Sequence, residues 1–285
     1  MINNFPAWHN GQFCTVKDLS VSVLDLGLIH SDATYDVISS HNRKIFRLDD
    51  HLNRFYTSCE FWRLTPTISR EIMKSTIVDL CHQSNTDNLL IWIGITRGTP
   101  NSGNPRDLNT YTPNMFMYVK PYFGFNAQNS ARLCTAIQRR NTVYDQRYKN
   151  FAWNDLTLAQ WEAIDRGYDT ALLLDENEYL TEGPGFNVFC IKDNQIITPA
   201  QNCLGSITIN ALEEICSNNN IKFERKNITL KELTDADGIA LASTAGNFIP
   251  VVEFEGYRYP KLELLNNLSN LIKNQINGIH QSTVY

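Results

Sequence analysis

The chain has no apolar run approaching the roughly 18 residues that a membrane helix needs. Its strongest apolar stretches, such as Ala171–Leu174, are strand-sized, and no membrane partner is expected. A surplus of positive charge is missing too: 25 Lys and Arg stand against 30 Asp and Glu, a net charge of −5. Nucleic acid is therefore excluded as the main partner, because a phosphate backbone requires a basic surface. A small anionic ligand is not excluded, since a local pocket need not follow the global sign. The seven cysteines, Cys14, Cys59, Cys81, Cys134, Cys190, Cys203 and Cys216, are scattered, odd in number and without C-x-x-C. They suggest neither a disulfide framework nor a zinc site, and buried free thiols in a reducing cytoplasm are expected. The six histidines show no H-E-x-x-H or similar spacing, so no metal site is expected. The opening MINNFPAWHNGQF lacks the basic and apolar regions of a secretory signal, which favours a cytoplasmic protein. No G-x-G-x-x-G follows a candidate strand, so dinucleotide binding lacks its main support.

What is present describes an ordinary globular chain. With 285 residues and 42% hydrophobic types, two domains of about 100–200 residues are expected, each able to bury a core. Val21–Leu26 alternates as a strand, and Tyr35–Ser39 reads as another. Asp49 reads as the N-cap of a helix carrying His51, Arg54, Phe55 and Cys59. Leu89–Ile95 and Met115–Lys120 read as strands on either side of the turn-rich Arg97–Pro113. The stretch PYFGFNAQNS breaks the pattern, giving a small domain over 1–120, a linker over 121–130 and a larger domain over 131–285. In the second part a strand over Ala131–Gln138 precedes a helix over Asn154–Arg166, stopped by Gly167. Thr170–Leu174, Val188–Ile191 and Ile196–Thr198 follow as short strands. A helix starts near Ser206 and ends around Asn218–Asn220, and Gly238–Ala242 is a small buried strand. Interleaved strands and helices with several strand–turn–strand units favour α+β over a doubly wound sheet.

Four features could carry chemistry. Lys149, in Tyr-Lys-Asn-Phe-Ala-Trp, has aromatic neighbours on both sides. A lysine at its reference pKa of about 10.4 is a poor nucleophile; apolar surroundings lower that value and prepare a Schiff-base lysine. Taken alone, an isolated lysine is more often a surface residue. Thr181–Asn187 (Thr-Glu-Gly-Pro-Gly-Phe-Asn) is a tight turn that would fix Glu182, although a plain hairpin with an exposed carboxylate has the same composition. Leu204–Thr208 leads into a helix whose first N–H groups suit a phosphate, with Ser206 and Thr208 as hydroxyl donors; a simple Ser206 N-cap is the plainer reading. Ser243–Gly246 is a second small-residue turn that would admit a ligand close to the backbone. Arg54 could add a cation, though by itself it reads as a solvated helix residue. An amine for a carbonyl, a fixed carboxylate and phosphate donors together fit pyridoxal 5′-phosphate (PLP).

In this order over nearly the whole chain, these motifs resemble the fold-type IV PLP enzymes, the branched-chain aminotransferase-like class IV aminotransferases. The resemblance rests on Leu24–Asp32, His51–Phe55, the lysine segment, Thr-Glu-Gly-Pro-Gly-Phe-Asn-Val-Phe, Leu-Gly-Ser-Ile-Thr and Ser-Thr-Ala-Gly. His30–Val37 and Lys149–Leu156 are similar to the (R)-selective amine transaminase and D-amino acid transaminase branch. The resemblance implies a two-domain α+β fold, with a small N-terminal and a larger C-terminal α/β domain and PLP in the cleft between them, usually as a homodimer. It implies that Lys149 forms the internal aldimine and is the catalytic base, and that Glu182 pairs with the pyridine nitrogen. Arg54, Ile207, Thr208 and Thr244 would hold the phosphate. His30, Tyr35, Val37, Trp153 and Ala245 would line the substrate pocket; for the strand residues core packing is the plainer role. The implied activity moves an amino group from an (R)-primary amine or D-amino acid to a keto acid such as pyruvate or 2-oxoglutarate, in ping-pong fashion. The alternatives are a branched-chain L-amino acid transaminase and 4-amino-4-deoxychorismate lyase. A non-catalytic PLP-fold binding protein is opposed by the presence of both Lys149 and Glu182.

The sequence departs from the family at three points. Ser206-Ile207-Thr208-Ile209 stands for the family's Gly-Ile-Thr-Arg. Asn154 occupies the position where branched-chain members often have Tyr, leaving the ring hydroxyl without an assigned partner. In the loop after Thr-Arg-Gly only Arg106 is available for a substrate carboxylate.

Overall fold

A computed structural model describes residues 2–122, 130–245, 247–278 and 282–285. Contacts divide the chain into two units. The first comprises Met1–Tyr122, Tyr148–Ala152 and Ile276–Tyr285, and the second Phe123–Arg147 and Trp153–Gln275. A single boundary near residue 125 would place Tyr148–Ala152 and Ile276–Tyr285 in the later unit. They cluster with the first because the lysine segment hydrogen-bonds to its helix and strand, and because the last strand pairs within its sheet. Of the linker proposed over 121–130, residues 123–129 lie outside the described residues; Pro121 ends a strand.

The first unit is built on β1 (Pro6–His9), β2 (Gln12–Thr15), β3 (Ala33–His41), β4 (Lys44–Phe46), β5 (Leu89–Pro100) and β6 (Tyr111–Pro121). With the strand Ser282–Val284 they form a sheet in the order Ser282–Val284, β4, β3, β5, β6, β1, β2. Every pairing given for this sheet is antiparallel, so side chains alternate between its two faces. Ile91, Ile93 and Ile95 of β5 pair with Val119, Met117 and Met115 of β6, and all six are fully buried. Two helices, α2 (Leu48–Phe61) and α3 (Arg70–Ser84), share a core with that face; α1 (Leu26–Ile29) is a single turn. Leu48, Leu52, Phe55 and Cys59 recur at helical spacing and point α2 into this core, where each large apolar side chain contributes about 1.5–3 kcal/mol.

Two local readings change. Val21–Leu26 is a turn running into α1, with Val23 and Leu24 exposed; its alternation is broken because the buried Asp25 accepts the N–H of Gly27 and caps the helix. The N-cap of α2 is Arg47, in the left-handed region at φ 50°, so Asp49 lies in the first turn, where a carboxylate still suits the helix dipole.

The second unit contains β7 (Ala131–Arg139), β8 (Thr170–Leu174), β9 (Asn187–Lys192), β10 (Gln195–Pro199), β11 (Phe223–Lys226), β12 (Gly238–Ser243), β13 (Asn247–Phe254) and β14 (Tyr257–Arg258). Its helices are α4 (Asn154–Asp165), α5 (Ile207–Asn218) and α6 (Leu230–Thr234); α7 (Glu263–Asn277) runs from this unit into the first. The sheet order is β11-β10-β9-β12-β13-β7-β8, with β14 against β13. It is mixed, since β7 runs parallel to both β8 and β13. All five residues of β8 are buried: Leu172 and Leu174 join one core, while Ala171 and Leu173 pack with Leu156, Ala159 and Ala163 of α4. The α4 reading holds, with Arg166 as its C-cap and Gly167 in the left-handed region at φ 76°. Tyr35–Ser39, Leu89–Ile95, Met115–Lys120, Ala131–Gln138, Val188–Ile191, Ile196–Thr198 and Gly238–Ala242 all lie within strands. All seven cysteines are free thiols, and burial pushes Cys59, Cys81, Cys190 and Cys216 up to about 12. No helix among the described residues is long and apolar enough to cross a membrane.

Candidate active site

The first unit holds Lys149 by its backbone. The Lys149 carbonyl accepts from Thr34 Oγ1 at 2.8 Å and from Trp62 Nε1 at 2.9 Å, and its N–H donates to Ser58 Oγ at 3.3 Å. Three contacts from β3 and the α2 end thus fix the main chain. Nζ lies 4.3 Å from the centroid of the Tyr35 ring. That ring, only 4% exposed, stacks on Trp92 at 4.6 Å and meets Phe151 edge-on at 5.2 Å. The amine therefore stands over a slab of flat side chains.

Beneath α2, Arg54 meets a partner that sequence reading did not single out. Arg54 Nε donates to Asp36 Oδ2 and an Nη to Asp36 Oδ1, both at 2.7 Å. His51 Nδ1 lies 2.8 Å from Asp36 Oδ1. Burial of Asp36 favours its neutral form, but the charge of Arg54 and the His51 ring outweigh it and hold the carboxyl well below the usual range. Burial likewise lowers the pKa of His51, so the ring is neutral and donates from Nδ1.

In the second unit Glu182 is 5% exposed and fixed at both oxygens. Oε1 accepts from Arg140 Nε at 2.9 Å and Oε2 from the Leu204 N–H at 3.1 Å. The remaining nitrogens of Arg140 donate to Asp155 Oδ2 at 2.5 Å and Gln146 Oε1 at 2.6 Å. Burial disfavours the Arg140 charge, but Glu182 and Asp155 more than compensate, and its pKa is raised. The turn that carries Glu182 is tight: a Cβ on Gly183 would come within 2.2 Å of the Phe186 ring and 2.4 Å of the Ala171 carbonyl oxygen. Gly183→Ala should cost about 1–3 kcal/mol through overpacking, or about 2–10 °C in thermal unfolding. An unchanged melting temperature would contradict this account of the turn.

Helix α5 begins as the plainer N-cap reading expects. Ser206 is its N-cap, its Oγ accepting from the Ile209 N–H at 3.2 Å. Ile207 and Thr208 follow in the first turn, where N–H groups have no partner inside the helix. The two departures in this motif have a local cause: Ser206 caps the helix, and Ile209 is buried in the core where the family has Arg. Thr244 and Ala245 form the turn after β12; Gly246 lies outside the described residues. The adjoining Ser243 has a buried Oγ with no hydrogen-bond partner among the described residues. A buried hydroxyl of that kind fits a phosphate oxygen that would satisfy it. Within the second unit, a fixed carboxylate and helix-start N–H groups are donor and acceptor types that suit the ring nitrogen and phosphate of PLP.

The other expected site residues differ in exposure. His30 is exposed at the C-terminal end of α1, Val37 is half-buried on β3, and Trp153 is the half-buried N-cap of α4. Arg106 is exposed in the loop between β5 and β6. Asp36, His51, Arg140, Asp155 and Gln146 were missed. The one signal available was a carboxylate within the buried strand β3, Asp36, and its partners lie 15 and 18 positions away. Among the described residues no group of His, Cys, Asp and Glu could hold a metal ion.

Residues 33–254 match the family model described as amino-transferase class IV. The chain is 28% identical over 257 residues to a D-alanine aminotransferase of Staphylococcus haemolyticus, covering 87% of this chain and 88% of that protein. It is 26% identical over 259 residues to a branched-chain-amino-acid aminotransferase of Pseudomonas aeruginosa, covering 87% and 84%. Among solved structures, the branched-chain aminotransferase of Thermoproteus uzoniensis superposes with a TM-score of 0.92 at 20% identity, over 98% of this chain and 99% of that one.

Proposed function

The chain belongs to the class IV aminotransferases, enzymes that work with PLP, and from that premise we propose a transaminase for (R)-primary amines or D-amino acids. The acceptor is a keto acid such as pyruvate or 2-oxoglutarate, and the enzyme acts as a cytoplasmic homodimer. Lys149 carries the cofactor, Glu182 faces its ring nitrogen, and Arg54, Ile207, Thr208 and Thr244 take its phosphate. When bound, PLP supplies a carbonyl that exchanges with the substrate amine and a ring that accepts an electron pair. Nζ of Lys149 then removes the proton from the amine-bearing carbon and delivers it again. Glu182, anchored by Arg140 and Leu204, keeps its charge directed at the ring nitrogen. His30, Tyr35, Val37, Trp153 and Ala245 contact the donor.

The observation that carries this reading is Lys149 Nζ standing over the Tyr35 ring, itself stacked on Trp92. A flat apolar surface beside the reacting amine suits a donor whose substituent is apolar. Resemblance of the segments around Tyr35 and Lys149 to the (R)- and D-selective branch points the same way, as does the likeness to a D-alanine aminotransferase. A branched-chain L-amino acid transaminase is the second reading, favoured by the similarity to the Pseudomonas aeruginosa protein.

Purified holoenzyme mixed in turn with D-alanine, (R)-1-phenylethylamine and L-leucine discriminates between the two. Loss of the lysine-linked absorbance and release of keto product are expected with D-alanine or the (R)-amine. Conversion of L-leucine alone would overturn the first reading and establish the second. Pyruvate release from aminodeoxychorismate would instead mark a lyase.

A further inference from the structure

Asp36 is the most heavily engaged carboxylate of the first unit. Four donors reach it: Arg54 Nε and an Arg54 Nη, His51 Nδ1, and the N–H of Val37 at 2.7 Å. Three of these donors converge on Oδ1 and one reaches Oδ2, so most of the carboxylate's roughly four lone-pair sites are engaged within the protein. Its side chain is 0% exposed, whereas that of Arg54 retains 11%. What Asp36 does must therefore pass through the residue it grips.

That residue has a long, rotamer-rich side chain with a planar head. Two parallel bonds to one carboxylate fix both the position and the plane of the guanidinium. His51 and Arg54, three positions apart on α2, face the same carboxylate on β3, so helix and strand both lock the arrangement. With His51 neutral, the trio has no net charge, and it would give an anion directed N–H donors rather than a positive field. Resting on the reading of Arg54 as a phosphate ligand, we propose that Asp36 is the positioning residue that aims Arg54 at the cofactor's phosphate.

The test compares PLP with pyridoxal, which lacks the phosphate, by titrating the full chain after removal of its cofactor. Asp36→Asn keeps the shape but puts an amide NH2 against one of the Arg54 donors. PLP affinity should fall about 10- to 100-fold while pyridoxal affinity stays within about 3-fold. A merely structural role would weaken both ligands alike. Arg54→Lys keeps the charge without the paired bonds and should lose the same discrimination; it serves also if Asp36→Asn does not fold. Unchanged or tighter PLP binding in Asp36→Asn would overturn the positioning role, tighter binding meaning that Asp36 only neutralises Arg54. An Arg54→Lys protein with wild-type discrimination would overturn it as well. If Arg54→Ala leaves the preference for PLP over pyridoxal intact, the phosphate assignment itself falls.

Discussion

Lys149→Ala should lower turnover by at least about a thousandfold, because in the proposed mechanism this amine both links the cofactor and moves the proton. Three hydrogen bonds hold the backbone of residue 149, to Thr34, Trp62 and Ser58, and alanine retains that backbone. The segment should stay in place, so lost activity would not reflect a lost fold. Three measurements belong together: initial rates, borohydride reduction followed by mass spectrometry of the residue-149 peptide, and thermal unfolding. The expected result is no turnover, no covalently labelled peptide and near wild-type unfolding. Normal turnover would remove Lys149 from the reaction.

Glu182→Gln should slow turnover about 10- to 100-fold, the range set by losing one hydrogen bond to a charged group. The effect has two sources. In the proposed role of Glu182, a neutral amide would no longer stabilise a positive charge on the ring nitrogen, so proton removal should slow. In addition, glutamine has one acceptor oxygen where the carboxylate has two. Arg140 Nε and the Leu204 N–H each need one, so one of them must face an NH2 group. Asp155 and Gln146 still hold Arg140, which should keep the fold intact. A substrate deuterated at the amine-bearing carbon checks the first source: its isotope effect should grow in the variant. Turnover at the wild-type rate would exclude Glu182 as the charge partner of the ring.

How much of this could be read from the chain depended on how local each cause is. Thr170–Leu174 was legible because five consecutive apolar-compatible residues with no polar face mark a strand buried on both sides. The α4 boundaries and the α5 cap were legible because Gly167 and Ser206 act on their immediate neighbours. Val21–Leu26 misled because alternation is only half of a strand; the other half is a partner, and this segment gains a helix cap at Asp25 instead. The left-handed Arg47 was invisible for a similar reason, since nothing in an arginine announces that backbone conformation. Among functional groups, Lys149 and Glu182 sit in distinctive segments. Asp36 and Arg140 matter only through partners: Arg140 meets Glu182 across 42 positions of chain, a distance no local pattern spans.

The strand Ser282–Val284 closes the first sheet against β4, and behind it Tyr285 is buried, its hydroxyl 2.9 Å from Ser40 Oγ and 245 positions from it along the chain. The first unit is thus completed only by a segment that lies beyond the second unit in the chain. During synthesis its β4 edge stays unpaired while the entire second unit is made. Pairing of such sequence-distant segments slows folding, and a bare edge invites association with other chains. Yield of active enzyme should therefore be more sensitive to chaperone supply and growth temperature than its finished stability suggests, and a modification at Tyr285 should harm folding more than one at the exposed Asn3.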